Sequence, residues 1–226
     1  MPRILVLLSH PQLEHSRVAR AMADAAHGLA ASTRRGATTP GAGVDSPQIE
    51  VRDLYALYPD YLVDVAAEQA ALAGVQLLVW LHPVHWYGMP PLMKLWLDEV
   101  FSFGWAYGPG GTALAGADLW LATSTGGPAD SYHPAGYNRY FFDAFLPPYE
   151  QTAALAGMRF LPPLVLHGAH RVDAAAIAAH AQVFADRLRC YPDWPELDDL
   201  PACVACEVPA DARPEETLAT PVRPAI

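Results

Sequence analysis

The stretch Ile4-Leu5-Val6-Leu7-Leu8, followed by Ser9-His10-Pro11, decides the fold of this chain. Five consecutive apolar residues that end abruptly at polar ones are typical of a strand buried on both faces, as in a parallel sheet. Ser16 then stands as a natural N-cap. The residues after it form one apolar helical face: Val18, Met22, Ala25, Ala26 and Leu29. The opening residues therefore predict a buried strand that leads into a helix.

The same alternation of strand and helix continues along the chain. Further strands are predicted over 49–54, 77–81, 119–123 and 164–166. Further helices are predicted over 65–73, from Pro90-Pro91 to 100, and over 177–188. Strands that alternate with helices form right-handed βαβ units, so we expect an α/β fold whose five-stranded parallel sheet is doubly wound in the order 2-1-3-4-5.

The length and the composition favour one domain with an appended tail. The chain has 226 residues, of which 52% are hydrophobic, and this is enough for one packed core. Residues 1–194 carry the strand and helix pattern, interrupted by a polar segment over 32–47 that we predict to be a flexible surface loop. Residues 195–226 are Pro-rich and acidic, which predicts a disordered or loosely docked tail.

Charge and cysteine usage exclude several classes of function. The net charge is -10, and Lys94 is the only lysine, so duplex nucleic acid is excluded as a partner. No apolar run is long enough to span a bilayer, and we expect a cytoplasmic protein. The cysteines, Cys190, Cys203 and Cys206, lie in the last fifth of the chain, so none can cross-link the main body. Cys203-Val-Ala-Cys206 has thioredoxin-like spacing, which is either incidental or a thiol sensor.

Ligands of doubly wound sheets bind at the carboxyl ends of the strands. After the first strand, His10, Ser16 and Arg17 surround a predicted helix N-terminus, where N–H groups and the helix dipole favour a phosphate. Ser16 acting only as a helix cap is the alternative. No partnering carboxylate or tight spacing accompanies His82, His85 and His133, so no metal site is predicted.

The next two strand ends suit a planar heterocycle. Trp86 and Tyr87 follow the third strand, where they offer flat aromatic walls, or else cap the core or form a dimer surface. Gly126 and Gly127 follow the fourth, where backbone N–H groups can approach a ring edge and stabilise the negative charge of a reduced flavin. An ordinary tight turn is the alternative there. A phosphate site, aromatic walls and a backbone edge together predict an FMN site, with FMN favoured over FAD.

At these residues the sequence resembles the flavodoxin-like NAD(P)H:quinone oxidoreductases, and most closely the ancillary oxidoreductases of bacterial glutathione-regulated potassium-efflux systems. The resemblance covers about residues 3 to 190. The matching stretches are Ser9-His10-Pro11 with His15-Ser16, Arg52-Asp-Leu-Tyr-Ala-Leu-Tyr-Pro59, His82-Pro-Val-His-Trp-Tyr87, Pro90-Pro-Leu-Met-Lys-Leu-Trp96, Gly104-Trp-Ala-Tyr-Gly108, Ser124-Thr-Gly-Gly127 and Leu161-Pro-Pro163.

The resemblance implies a flavodoxin-like fold and a set of flavin contacts. These are His10, Ser16, Arg17, Val18 and Ala19 for the phosphate and ribityl chain, and Val84, His85, Trp86, Tyr87, Ser124, Thr125, Gly126 and Gly127 for the isoalloxazine. Ala19 stands where the family often has Asn, and His85 where Gln is common. The segment 128–134 departs from near relatives. Tyr132 and His133 within it are interpreted as donors to a quinone oxygen, or else as an incidental pair on a surface loop.

The implied function is two-electron transfer from NAD(P)H to a quinone in a ping-pong cycle, with hydride passing through the flavin N5. The resemblance also implies a homodimer with its flavin sites at the subunit interface. A different hypothesis is a regulatory subunit that binds a glutathione-gated potassium-efflux transporter, which would place the protein peripherally at the inner membrane. A flavodoxin-type electron carrier and an azo- or nitroreductase are further alternatives.

Overall fold

A computed structural model of the chain describes residues 1–36 and 47–200. Its strands form one parallel sheet in the order β2-β1-β3-β4-β5, so the predicted flavodoxin-like topology is confirmed. The strands are β1 (Arg3–Leu8), β2 (Gln48–Asp53), β3 (Leu77–Pro83), β4 (Asp118–Ser124) and β5 (Arg159–Leu166).

Helices cover both faces of the sheet. They are α1 (Arg17–Gly36), α2 (Leu54–Leu57), α3 (Val65–Leu72), α4 (Pro91–Val100), α5 (Pro147–Leu155) and α6 (Ala174–Cys190). Helices α1 and α6 pack together on one face, while α3, α4 and α5 bury apolar side chains against the other. The three central strands are buried along almost their whole length, in keeping with their continuous apolar sequences.

Several element boundaries differ from those predicted. Helix α1 continues to Gly36, so the first residues of the predicted loop over 32–47 are helical, and residues 37–46 lie outside the described part. Leu54 begins α2 instead of ending β2. Helix α5, which begins at Pro147-Pro148, was not predicted at all. Its two prolines occupy the first turn, where a missing N–H costs little, although they resemble a loop in sequence.

Strand β5 is longer than predicted because two prolines hide its first half. It begins at Arg159, and Pro162-Pro163 fall at a register shift against β4. Proline is tolerated there because β5 is an edge strand and a bulge has no ladder hydrogen bond to lose. The carbonyl of Pro162 accepts a hydrogen bond from the Trp120 indole at 3.1 Å, which ties the bulge to β4.

The beginning of the predicted tail packs on the domain. Pro195–Leu197 form a 3-10 turn in which Leu197 is buried, and Arg187 pairs with Glu196. The remainder of the predicted tail beyond residue 200, with Cys203 and Cys206, lies outside the described residues. In residues 1–36 and 47–200, no helix combines the length and apolarity needed to cross a bilayer.

A buried carboxylate joins one edge of the sheet to the helices beside it. Glu68 on α3 is fully buried and accepts hydrogen bonds from the Arg52 guanidinium on β2, the Tyr58 hydroxyl and the Trp96 indole on α4. Burial and the hydrogen bond to Glu68 raise the pKa of Tyr58 to about 12, so this hydroxyl remains a donor. Three donors on three segments therefore depend on one carboxylate.

We expect Glu68→Leu to lower the free energy of unfolding by about 3 kcal/mol, because Arg52, Tyr58 and Trp96 all lose their acceptor. Chemical denaturation monitored by tryptophan fluorescence measures the change. Asp98→Leu is the matched control, because it removes an exposed partner of Lys94 and should cost less than about 1 kcal/mol. Equal losses in the two variants would contradict the role given to Glu68.

Candidate functional site

The loop after β1 leads directly into the N-terminus of α1. The Ser9 N–H donates to the Leu81 carbonyl at 2.9 Å, so the loop leaves the sheet at a fixed point beside β3. The Ser16 hydroxyl oxygen accepts the Ala19 N–H at 3.1 Å, which confirms Ser16 as the N-cap of α1. Its proton remains available to a ligand, together with the N–H groups of the first helical turn. Exposed Arg17 adds a positive charge at the same point.

His10 lies in the same loop as a neutral hydrogen-bond donor. Its Nδ1 accepts the Gln12 N–H at 3.1 Å, so the ring proton is on Nε2. Burial lowers the pKa of His10, and the neighbouring His85 lowers it further. The two rings meet edge to face with their centroids 6.4 Å apart, which brings the first and second predicted loops together.

The loop after β3 forms a tight hairpin turn. His85 and Gly88 exchange two backbone hydrogen bonds of 3.0 and 3.1 Å, and between them Trp86 and Tyr87 have φ of 47° and 65°. Positive φ at both central residues is the signature of a type I′ turn, which normally selects Asn-Gly. Trp86 is 95% exposed, whereas Tyr87 stacks on Phe145 with a centroid distance of 5.1 Å. Trp86 and Tyr87 thus adopt a strained backbone conformation, although neither is a core residue.

The loop after β4 is tied to its neighbours on both sides. The Ser124 carbonyl accepts the Val84 N–H at 2.8 Å, and the Thr125 N–H donates to the Leu166 carbonyl at 2.9 Å. At Gly126, an added Cβ would lie 3.3 Å from Nε2 of His170. At Gly127 it would lie 2.7 Å from the Tyr137 hydroxyl and 2.8 Å from the Ser131 hydroxyl, so a larger residue would require these side chains to move.

These loops enclose a cleft of about 480 Å³ at the carboxyl ends of β1, β3 and β4. This volume falls in the range of roughly 300–1,000 Å³ that is usual for small-molecule sites. Among the predicted cofactor residues, the cleft brings together His10, Ser16, Arg17, Val18, Val84, His85, Ser124, Thr125 and Gly126. The other four are outside its lining: Ala19, Trp86, Tyr87 and Gly127. Ala19 is buried and its N–H is already used by Ser16.

The structure separates the two predicted proton donors, and neither of them lines the cleft. Tyr132 is almost fully buried, and burial raises its pKa, so its hydroxyl stays protonated. His133 is exposed, its Nδ1 accepts the Ala135 N–H at 2.9 Å, and its ring lies against Phe141. The imidazole beside Tyr132 is instead that of His167, with ring centroids 5.2 Å apart.

Sequence reasoning missed several residues of the cleft. These are Gln12, His15, Pro83, Ala169 and His170. His170 and the nearby His167 follow the end of β5, and the strand-end rule that identified the other loops also applies there. The predicted fifth strand ends at the same residue as β5, so applying this rule to it would have identified both histidines.

Comparisons with known proteins agree with this geometry. A family model for the flavodoxin-like fold matches residues 2–188. The chain belongs to this family. The glutathione-regulated potassium-efflux system ancillary protein KefF of Citrobacter koseri is 38% identical over 190 residues, which are 84% of this chain and 97% of that protein. The resemblance inferred from the sequence motifs is therefore confirmed.

Two solved structures share the flavodoxin-like fold at high coverage. General stress protein 14 of Treponema denticola, solved in complex with FMN, is 33% identical with a TM-score of 0.72, and the match covers 83% of this chain and 100% of that one. A structure described as a tryptophan halogenase from Streptomycin violaceusniger is 36% identical with a TM-score of 0.69, covering 84% and 99%. Because these relatives carry different names, the chemistry of this family member has to be argued from its own site.

We expect Trp86→Asn to stabilise the protein by about 1 kcal/mol. Asparagine adopts positive φ more easily than tryptophan, and Trp86 at 95% exposure loses almost no packing. Chemical unfolding at protein concentrations low enough to keep the chain monomeric measures the gain. Leu62→Asn, at a residue that is 75% exposed, is the matched control and should change stability by less than about 0.5 kcal/mol. A less stable Trp86→Asn protein would show that the turn carries no such strain.

Proposed function

We propose that this protein is an FMN-dependent oxidoreductase that transfers two electrons from NAD(P)H to a quinone. One observation carries the proposal: an anion site and a glycine-lined backbone edge open into the same cleft, at adjoining strand ends. This combination matches a molecule with a phosphate at one end and a planar, electron-accepting ring at the other. The FMN bound to general stress protein 14, whose sequence and fold are similar, supports the same assignment.

The donors in the cleft fit FMN chemically. Ser16, Arg17 and the first N–H groups of α1 would hold the phosphate, with His10 Nε2–H as a further donor. Val84 and His85 would line the ring on one side, and Ser124, Thr125 and Gly126 on the other. Ser16 and Arg17 line one end of the cleft, and this one group of phosphate donors favours FMN over a dinucleotide.

FMN bound there supplies hydride transfer at its N5, which no side chain of the protein can perform. The protein orients the two substrates and provides protons. We propose that NAD(P)H and the quinone bind one after the other at the same position beside the flavin, which makes the kinetics ping-pong. Tyr132, kept protonated by burial, would donate a proton to the quinone oxygen. His133 is too exposed to be its partner in this role, so we retain only Tyr132 as a proton donor.

We also propose that the active form is a homodimer. Around the cleft several large aromatic side chains are more than half exposed: Trp86, Tyr137, Tyr140 and Phe141. Aromatic residues concentrated on one exposed surface are typical of protein interfaces. A second copy of the chain placed on this surface would also exclude water from the cleft.

The first experiment is an anaerobic titration followed by visible spectroscopy. We expect the purified protein to show oxidised flavin bands, which bleach with one equivalent of NADPH and return with one equivalent of a small quinone. If NADPH leaves the bound FMN oxidised, the electron-carrier alternative replaces the proposal. If an azo dye restores the bands and quinones do not, the acceptor class is wrong. If added FMN does not bind, the assignment of the cleft fails.

A pair of arginine variants locates the phosphate within this experiment. Arg17→Met should weaken FMN binding by about tenfold, because one charge-assisted hydrogen bond is lost. Arg189→Met is the control, because Arg189 is paired with Asp186 in the last turn of α6 and does not line the cleft. FMN fluorescence quenching gives both dissociation constants. Equal FMN affinities of the two variants would show that the phosphate does not bind at the N-terminus of α1.

The KefF relative supports a second role, as a regulatory subunit of a glutathione-gated potassium-efflux transporter. Such a partner would make this a cytoplasmic protein located at the inner membrane. We expect the tagged chain to co-elute with the co-expressed transporter from a detergent extract and to increase potassium efflux from vesicles. An unrelated transporter is the control. If the protein reduces quinones but does not co-elute with the transporter, the oxidoreductase proposal stands and the regulatory role is wrong.

A further inference from the structure

We propose that His167 is a positioning residue of the cleft, which fixes the Thr125–Gly127 edge through its Nδ1 and seats Tyr132 against its ring. This inference rests on the proposed function, because it assigns His167 a task toward bound flavin and quinone. His167 lies directly after β5, outside every motif that suggested the site in sequence.

Hydrogen bonds fix the tautomer of His167. The Thr125 hydroxyl oxygen lies 2.7 Å from the Gly127 carbonyl oxygen and 2.9 Å from His167 Nδ1. Two oxygens 2.7 Å apart repel unless a proton lies between them, so the hydroxyl donates to Gly127. The hydroxyl has no second proton, and His167 must therefore donate from Nδ1 to Thr125.

The same segment holds the backbone of the edge at two further points. The Gly168 N–H donates to the Gly127 carbonyl at 2.8 Å, and the Ala169 N–H donates to the Thr125 carbonyl at 2.9 Å. These bonds fix the main chain, whereas the Thr125 side chain is held by its hydrogen bonds to the Gly127 carbonyl and to His167 Nδ1. Since Thr125 lines the cleft, the direction of its hydroxyl decides what it presents to a ligand.

The second proposed role of His167 is to support the Tyr132 ring through aromatic contacts. Tyr132 and Phe142 pack on the imidazole, each with a centroid distance of 5.2 Å, at interplanar angles of 45° and 85°. Tyr132 also touches Phe142 and Phe145 edge to face. The Tyr132 ring thus lies between the imidazole and a phenylalanine pair, and loss of the imidazole would leave one side of this ring unsupported.

Two substitutions separate these tasks. His167→Asn retains an N–H donor near the position of Nδ1 but removes the ring, whereas His167→Leu removes both the donor and the ring. His180→Leu on α6 is the matched control, because His180 is a partly buried histidine away from the cleft. The measurements are the FMN dissociation constant by fluorescence quenching and kcat for a small quinone at saturating FMN.

If His167 positions the edge, His167→Leu weakens FMN binding on the order of tenfold, and His167→Asn restores most of the affinity. Both variants should lower kcat by a similar factor, because both lose the support of Tyr132. Wild-type affinity and kcat in His167→Leu would overturn the inference, and so would an equal loss of affinity in the Asn and Leu variants. The His180 control should retain both values.

A measurement without FMN keeps this inference separable from the proposed function. In the protein without added flavin, long-range ¹H–¹⁵N spectra of the histidines should show the His167 proton on Nδ1, and that signal should be missing from His167→Asn. A proton on Nε2 would overturn the hydrogen-bond argument. If wild type shows the Nδ1 proton but binds no FMN, the failure is that of the proposed function.

Discussion

A row of backbone hydrogen bonds across the strand ends determines the geometry of the whole site. Ser9 N–H bonds to the Leu81 carbonyl, Val84 N–H to Ser124, and Thr125 N–H to Leu166. Each bond joins the first residues beyond one strand to the neighbouring strand. Four loops therefore leave the sheet at nearly the same level, and their side chains meet in one cleft. Buried parallel strands make this possible, because every backbone group in them has to be paired.

This constraint explains how far the sequence could predict the molecule. The apolar runs that become β1, β3 and β4 identified the sheet, and the residues after them, such as His10 and Thr125, identified the cleft. The edge strand β5 is under weaker sequence constraints than the central strands. Its exposed side and its bulge admit Pro162-Pro163, so periodicity located only its last residues. The end of β5 was nevertheless predicted correctly, so the strand-end rule could have identified His167 and His170.

The sequence also could not show which residues after a strand face the cleft. Trp86 and Tyr87 follow β3 as expected, but the type I′ turn between His85 and Gly88 directs Trp86 into solvent and Tyr87 against Phe145. A turn type depends on φ values that an aromatic pair does not predict, since Asn-Gly is its usual sequence. Aromatic residues at a strained, exposed turn lower the stability of the fold, so they indicate a binding function at this surface. An interface with a second chain is such a task.

The histidines in and beside the cleft contribute hydrogen bonds and not positive charge. Burial lowers the pKa of His10, His85 and His167, which favours the neutral form of each ring. Neutral imidazoles each offer one donor and one acceptor, and their direction is set by whichever nitrogen already has a partner. Gln12 fixes the proton of His10 on Nε2, whereas Thr125 requires that of His167 on Nδ1. The attraction for an anion then comes from Arg17 and the α1 dipole, and the histidines supply direction instead of charge.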